Sequence, residues 1–412
     1  MTRERLARLL QRTGPIVPEG FETVVSDLEC GEQELLPRDV LLRVLGENRV
    51  PREKQEMLLR ALDEANAAPE LVELAGVMAK DAVRSLNRCT VISYKQPKPQ
   101  CLTGFARDAF AFLFTQRCVL EGRKALRARG VPESYDRDIP ERMTRKQLEK
   151  FVKTGDIGFD DYPWDANFYC CDIFLLDRFY FIPYRWGEDA PRAWRNVRTG
   201  KVLALWKGGD RVRRDGQLDG VNGVFDERAF LTVYEETGEA VTANPVSPEG
   251  VIQKEPVTLS KAEWKLALKE GDYLLALHIP GGEGYTTERV KSSCALALQF
   301  YRKYYPEYTY VGFWSESWLY DAALGRILGP ARNISRVQRQ FYCYPTMEGD
   351  RMARLEVLGS PDADYRQMTP KTALEKGMFD VWSRGGRFHT SGMFLLSEEV
   401  PLVGGDPYWK EG

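Results

Sequence analysis

The chain has 412 residues, 43% of them hydrophobic and 29% charged. That is enough apolar material for more than one core, and the length predicts two or three domains. Its formal net charge of −2 supplies no global basic field, which argues against nucleic acid or an anionic membrane surface as partner. No apolar run approaches the roughly 20 residues needed to span a bilayer. The Arg-rich start (Arg3, Arg5, Arg8, Arg12) lacks the apolar core and cleavage site of a signal peptide, so a cytoplasmic protein is expected.

The eight cysteines are Cys30, Cys89, Cys101, Cys118, Cys170, Cys171, Cys294 and Cys343, and the only histidines are His278 and His389. There is no C-x-x-C pair, so the spacing predicts reduced, mostly buried thiols and no metal site.

Residues 1–160 read as a helical domain. "PREKQEMLLRALDEAN" (51–66) has apolar residues at helical spacing behind a proline suited to the first turn, and residues 69–88 repeat the device. Residues 104–130 form a long helix, apolar on almost every side in its middle, which marks it as the centre of a bundle. A further helix covers 140–156.

After residue 160 the texture changes, and residues 161–412 are expected to form a mixed α/β domain, making the chain α+β. "NFYCCDIFLLDRFYFIPYRW" (167–186) is dense in aromatic residues, with Asp177 and Arg178 as a turn. Antiparallel strands are expected up to about residue 247, then a helix over 260–272. From Tyr273 strands and helices alternate: a strand at 273–280, a helix at 287–304, a strand at 308–314, a helix at 317–328, a strand at 333–345, a helix at 369–385 and a last strand at 387–396. Connections of this length imply parallel pairing with right-handed crossover.

Between the first strand and helix of that series lies "HIPGGEGYTT" (278–287). Ligands of open sheets sit at carboxyl ends of parallel strands, facing helix N-termini. Glycines let backbone N–H groups turn toward an anion. Thr286 is the candidate N-cap and Arg289 a candidate to reach back to a phosphate. Pro280 has no N–H, so ladder pairing stops there and a slot opens beside the strand. The loop is neither a P-loop nor G-x-G-x-x-G, and a plain turn is the alternative.

"LHIP" (277–280), "YPE" (305–307), "SWLYD" (317–321) and "NISRVQRQF" (333–341) together resemble a bacterial acyltransferase family. Its members join an N-terminal N-acyltransferase domain to a C-terminal domain of the N-acetyltransferase (GNAT) type. The resemblance is strongest over residues 271–345. It implies a GNAT-like fold in which an acyl-coenzyme A, acetyl-CoA or a longer form, is co-substrate. Its thioester arm would lie in the splay between the two strands, and its pyrophosphate on backbone N–H groups of the loop. The cofactor-binding residues so implied are Ile279, Gly281, Gly282, Gly284, Tyr285, Thr286, Thr287 and Arg289.

Acyl transfer to an amine needs proximity, removal of an amine proton and stabilisation of the departing thiolate. His278, at the strand end, and Glu316, after the next strand, are candidate bases. Tyr320, in the following helix, is the candidate acid toward the sulfur. His389 is read as structural or substrate-side, and Cys294 as a core residue. The aromatic run 300–314 carries only Arg302 and Lys303, so stacking on nucleic acid lacks its electrostatic partner. The reading is an N-acyltransferase acting from acyl-CoA on a small-molecule or peptide amine. The alternative is a non-catalytic or ligand-sensing module whose helical domain binds a partner.

Overall fold

The computed structural model describes residues 1–17, 21, 31, 33–84, 95–135 and 138–409. Cys30, Cys89 and the end of the helix expected over 69–88 lie outside these. The chain forms two units, Met1–Leu175 and Leu176–Gly412.

The first unit is helical. Gly104–Ala128 is its longest helix and packs against Arg52–Asn66 and Pro69–Arg84. Phe110, Phe112 and Phe114 are all buried along it, as expected of a helix whose apolar residues do not keep to one stripe. A Cβ at Gly122 would come within 2.8 Å of the Cys170 carbonyl oxygen, so this position admits only glycine if the end of the helix Tyr162–Tyr169 is to lie so close. Asp138–Thr154 completes the expected set.

The second unit is built on a mixed sheet. Its strands lie in the order Phe179–Arg185, Tyr273–His278, Tyr310–Ser317, Ser391–Leu396, Tyr342–Pro345. Tyr273–His278 and Tyr310–Ser317 pair in parallel, joined by the helix Thr287–Tyr304, and the other pairings are antiparallel. Leu274, Leu275, Phe313, Phe394 and Leu395 give the sheet a buried core on both faces. A second, antiparallel sheet is formed within residues 192–268.

Four sequence-based expectations are corrected. The parallel series does not extend beyond its first pair: Ser391–Leu396 runs antiparallel to both Tyr310–Ser317 and Tyr342–Pro345. Residues 260–272 are not helical: Val257–Ser260 and Trp264–Leu268 are strands, the latter paired with Arg192–Asn196 through a bulge between Leu266 and Leu268. The Ala, Lys and Glu residues that favour a helix are overridden there by cross-strand pairing. Residues 333–345 are not one strand but a short helix, Asn333–Gln338, followed by Tyr342–Pro345. The helix expected over 317–328 begins later. Ser317 ends the strand, Trp318–Tyr320 form a 3₁₀ turn, and Asp321 caps Ala322–Leu328 by accepting from the Ala323 N–H at 2.7 Å. Glu316 therefore lies within a strand, not after it, and Tyr320 in a turn.

Candidate functional site

The ladder between the two parallel strands runs through Tyr273↔Tyr310, Leu274↔Gly312, Leu275↔Phe313 and Ala276↔Trp314, and there it ends. Both strands continue, each held by its outer neighbour. Leu277 and His278 pair with Phe181 and Tyr180, while Ser315, Glu316 and Ser317 pair with Met393, Gly392 and Ser391. The sheet thus opens into a wedge just before Pro280, which cannot donate to a ladder.

Side chains alternate along each strand. Ala276 and His278 consequently share a face with Trp314 and Glu316, while Phe313 and Ser315 point to the other. His278 is half-buried, and burial pushes its imidazole down to about 4, so it is neutral at pH 7. Glu316 is also half-buried, and its carboxyl is raised, first by burial and then by the nearby Glu348. Beside it Trp314 stacks on Tyr184, ring centres 3.9 Å apart, and donates from Nε1 to the Tyr344 hydroxyl at 2.9 Å. The Tyr344 ring lies so close over Gly392 that a Cβ there would come within 2.2 Å of its Cζ.

The helix Thr287–Tyr304 covers the opposite face, and its Tyr301 hydroxyl donates to the Phe181 carbonyl at 3.2 Å. Tyr320 is buried and Tyr285 half-buried on this side, adjoining each other and, for Tyr320, Ser315. Burial raises both phenols. The three candidate catalytic groups are therefore divided between faces, His278 and Glu316 on one and Tyr320 on the other. Cys294 is fully buried with its thiol pushed up, a core residue.

The loop after the wedge is oriented by a residue that sequence reading treated only as part of a turn. The Arg178 guanidinium donates to the carbonyls of Pro280 at 2.7 Å, Gly282 at 3.2 Å, Glu283 at 2.7 Å and Gly281 at 3.5 Å. With the carbonyls turned to Arg178, the backbone N–H groups of Gly281 to Tyr285 donate to no protein group among the described residues. Gly282 and Gly284, at φ 98° and 92°, hold the left-handed conformations the turn needs. Thr286 caps the helix, accepting from the Arg289 N–H at 3.3 Å.

The remaining loop candidates contribute differently. Arg289 does not reach back to the loop: its guanidinium is paired with Asp177 at 2.6 Å. Thr287 is buried and bonds Glu288 at 3.0 Å, and Ile279 is half-buried between strand and loop. His389 precedes the last strand instead of lying in it. Its Nδ1 is 3.4 Å from Asp321 and its Nε2 is 3.1 Å from Arg213. No cluster of metal-binding side chains occurs among the described residues, and no described helix is long and apolar enough to cross a membrane.

Residues 39–171 match the family model of an N-acyltransferase N-terminal domain, and residues 214–394 that of a GNAT-like C-terminal domain. The chain belongs to the acyltransferase family that joins these two domains. This GNAT-type protein is an enzyme, an acyltransferase. Solved structures similar to it include an acyltransferase in complex with decanoyl-CoA and teicoplanin (16% identity, 95% of this chain and 94% of that one, TM-score 0.52). Another is an acyltransferase in complex with decanoyl-CoA (17% identity, 96% and 99%, TM-score 0.52). A third is an acyltransferase mutant with octanoyl-CoA (15% identity, 95% and 94%, TM-score 0.52). At these identities the likeness is one of fold. No curated protein matches the chain.

Proposed function

We propose that this acyltransferase moves an acyl group from acyl-CoA, acetyl-CoA included, to an amine of a small molecule or peptide. The observation that carries the reading is the ladder's end at Ala276↔Trp314, followed by a loop whose N–H groups donate to no protein group among the described residues, at a helix N-terminus. Donors of that kind suit a pyrophosphate, and the wedge suits a thioester arm. The solved acyltransferases of this fold, bound to decanoyl-CoA or octanoyl-CoA, support acyl-CoA as donor.

In the transfer, the amine nitrogen attacks the thioester carbonyl carbon, the C–S bond breaks, and an amide and a thiolate form. The amine must give up a proton and the sulfur must take one. Glu316, its carboxyl raised toward neutral pH, is the better-matched base. His278, held neutral, accepts a hydrogen bond from the amine or from a relaying water. Tyr320, on the opposite face, donates toward the sulfur. A thioester lying in the wedge is open to both faces, which gives the division of these groups its chemical use.

The test is calorimetric titration with free CoA, acetyl-CoA and octanoyl-CoA, repeated on Gly282→Trp. Micromolar binding, about −8 kcal/mol, that the tryptophan removes supports the loop as the phosphate cradle. Absence of binding to folded protein overturns the reading.

A further inference from the structure

A cavity of about 210 Å³ lies in the second unit on the helix-covered side of the sheet. Its inner wall is Tyr320, Ala322, Gly325 and Cys343, its outer part includes Pro248 and Trp409, and Glu249 and Arg326 stand exposed at its rim. Of the groups assigned above only Tyr320 lines this space, and neither the loop nor the wedge accounts for it.

The sheet register connects the two places. Ser315, on the lip of the wedge, pairs with Met393, and Met393 pairs with Cys343. Paired residues point to the same face, so these three form one buried row from the wedge to the cavity floor. Tyr320 stands over this row, adjoining Ser315 at one end and lining the cavity at the other. Its ring is set edge-on to Phe341, centres 5.6 Å apart. Tyr320 thus stands as the wall between wedge and cavity, with Ser315 and Tyr285 as its polar neighbours.

We infer that the cavity receives the distal carbons of a straight acyl chain longer than acetyl, with the Tyr320 ring as the partition that such a chain passes. An apolar cavity of about 150 Å³ takes a six-carbon ring, so this one has room for roughly six to eight carbons. The lining between the rim charges is mainly apolar, from Ala322, Pro330, Cys343 and the faces of Tyr320 and Trp409, which suits an aliphatic tail. The inference rests on the reading of the wedge as the thioester site.

The experiment titrates the full chain with free CoA, acetyl-, hexanoyl-, octanoyl- and decanoyl-CoA, for the native protein and for Gly325→Met. A side chain at Gly325 meets only Gln338, at an ordinary 3.5 Å, and points into the helix-side wall of the cavity. The native protein is expected to gain about threefold to fourfold in affinity per methylene until the cavity is full. Gly325→Met is expected to abolish that gain and leave free CoA and acetyl-CoA unchanged. Ala322→Met repeats the test from the same helix should Gly325→Met melt early. Affinity independent of chain length, or a gain that survives both variants, overturns the cavity assignment while the thioester reading stands. Failure of free CoA itself to bind overturns both.

Discussion

His278 and Glu316 stand at matching positions on the two lips of the wedge. Had the ladder continued by one more step of two residues beyond Ala276↔Trp314, they would be cross-strand partners. Instead the strands part, and a titratable group is left on each side of the opening, on one face of the sheet. Both are pushed toward their neutral forms, His278 by burial and Glu316 by burial and Glu348.

Glu316→Gln should lower turnover by about 10²- to 10⁴-fold, the usual contribution of a positioned base, with the affinity for acyl-CoA retained. Steady-state kinetics beside calorimetry separate the two. The native rate should fall as pH drops through the raised pKa of this carboxyl, and the variant's residual rate should lose that limb. An unchanged pH profile would remove Glu316 from the base role.

His278 makes a stability prediction of definite sign. Its folded pKa, about 4, is depressed below the unfolded value near 6.5, so the unfolded chain binds the proton first. Stability should therefore fall as pH drops from about 6.5 toward 4, by on the order of 2 kcal/mol from this group. His278→Phe should flatten that part of the profile in urea titrations between pH 7 and 4.5. A variant as acid-sensitive as the native protein would refute the assignment.

Arg178→Ala should raise the dissociation constant for CoA about tenfold or more, the scale of losing charge-assisted hydrogen bonds that orient the loop. Turnover at saturating acyl-CoA should change much less, because Arg178 reaches the loop's carbonyls and not the reacting atoms. Equal loss in both quantities would contradict a positioning role.

Gly392→Ala should be more damaging than a methyl group suggests. The added carbon would meet the Tyr344 ring at 2.2 Å and displace the hydroxyl that accepts from Trp314. A loss of about 1–3 kcal/mol is expected for such overpacking, read as a lowered melting temperature, with Trp314 fluorescence altered in the folded state.

The sequence made the main elements around the site legible because their signals are local. Thr287–Tyr304 begins at a threonine cap and keeps Val290, Cys294, Leu298 and Tyr301 on one buried face. Pro280 marks the end of the strand, whereas the parallel ladder stops earlier, at Ala276↔Trp314. The failures have physical reasons too. Trp264–Leu268 contains good helix formers, and only the distant Arg192–Asn196 strand makes it extended. Arg178 carries no pattern at all: it is separated from the loop it orients by about a hundred residues, so its role exists only in three dimensions. The same holds for Tyr344 and Gly392, whose close approach no spacing encodes.

The bracing of residues 280–283 by one guanidinium has a thermodynamic consequence. A glycine-rich loop is ordinarily the segment with most backbone entropy to surrender when a ligand arrives. Here Arg178 holds four consecutive carbonyls before any ligand does, so the ordering cost has been met during folding. Association should then resemble docking to a rigid template: a small unfavourable entropy, and an on-rate set by diffusion and charge and not by loop closure.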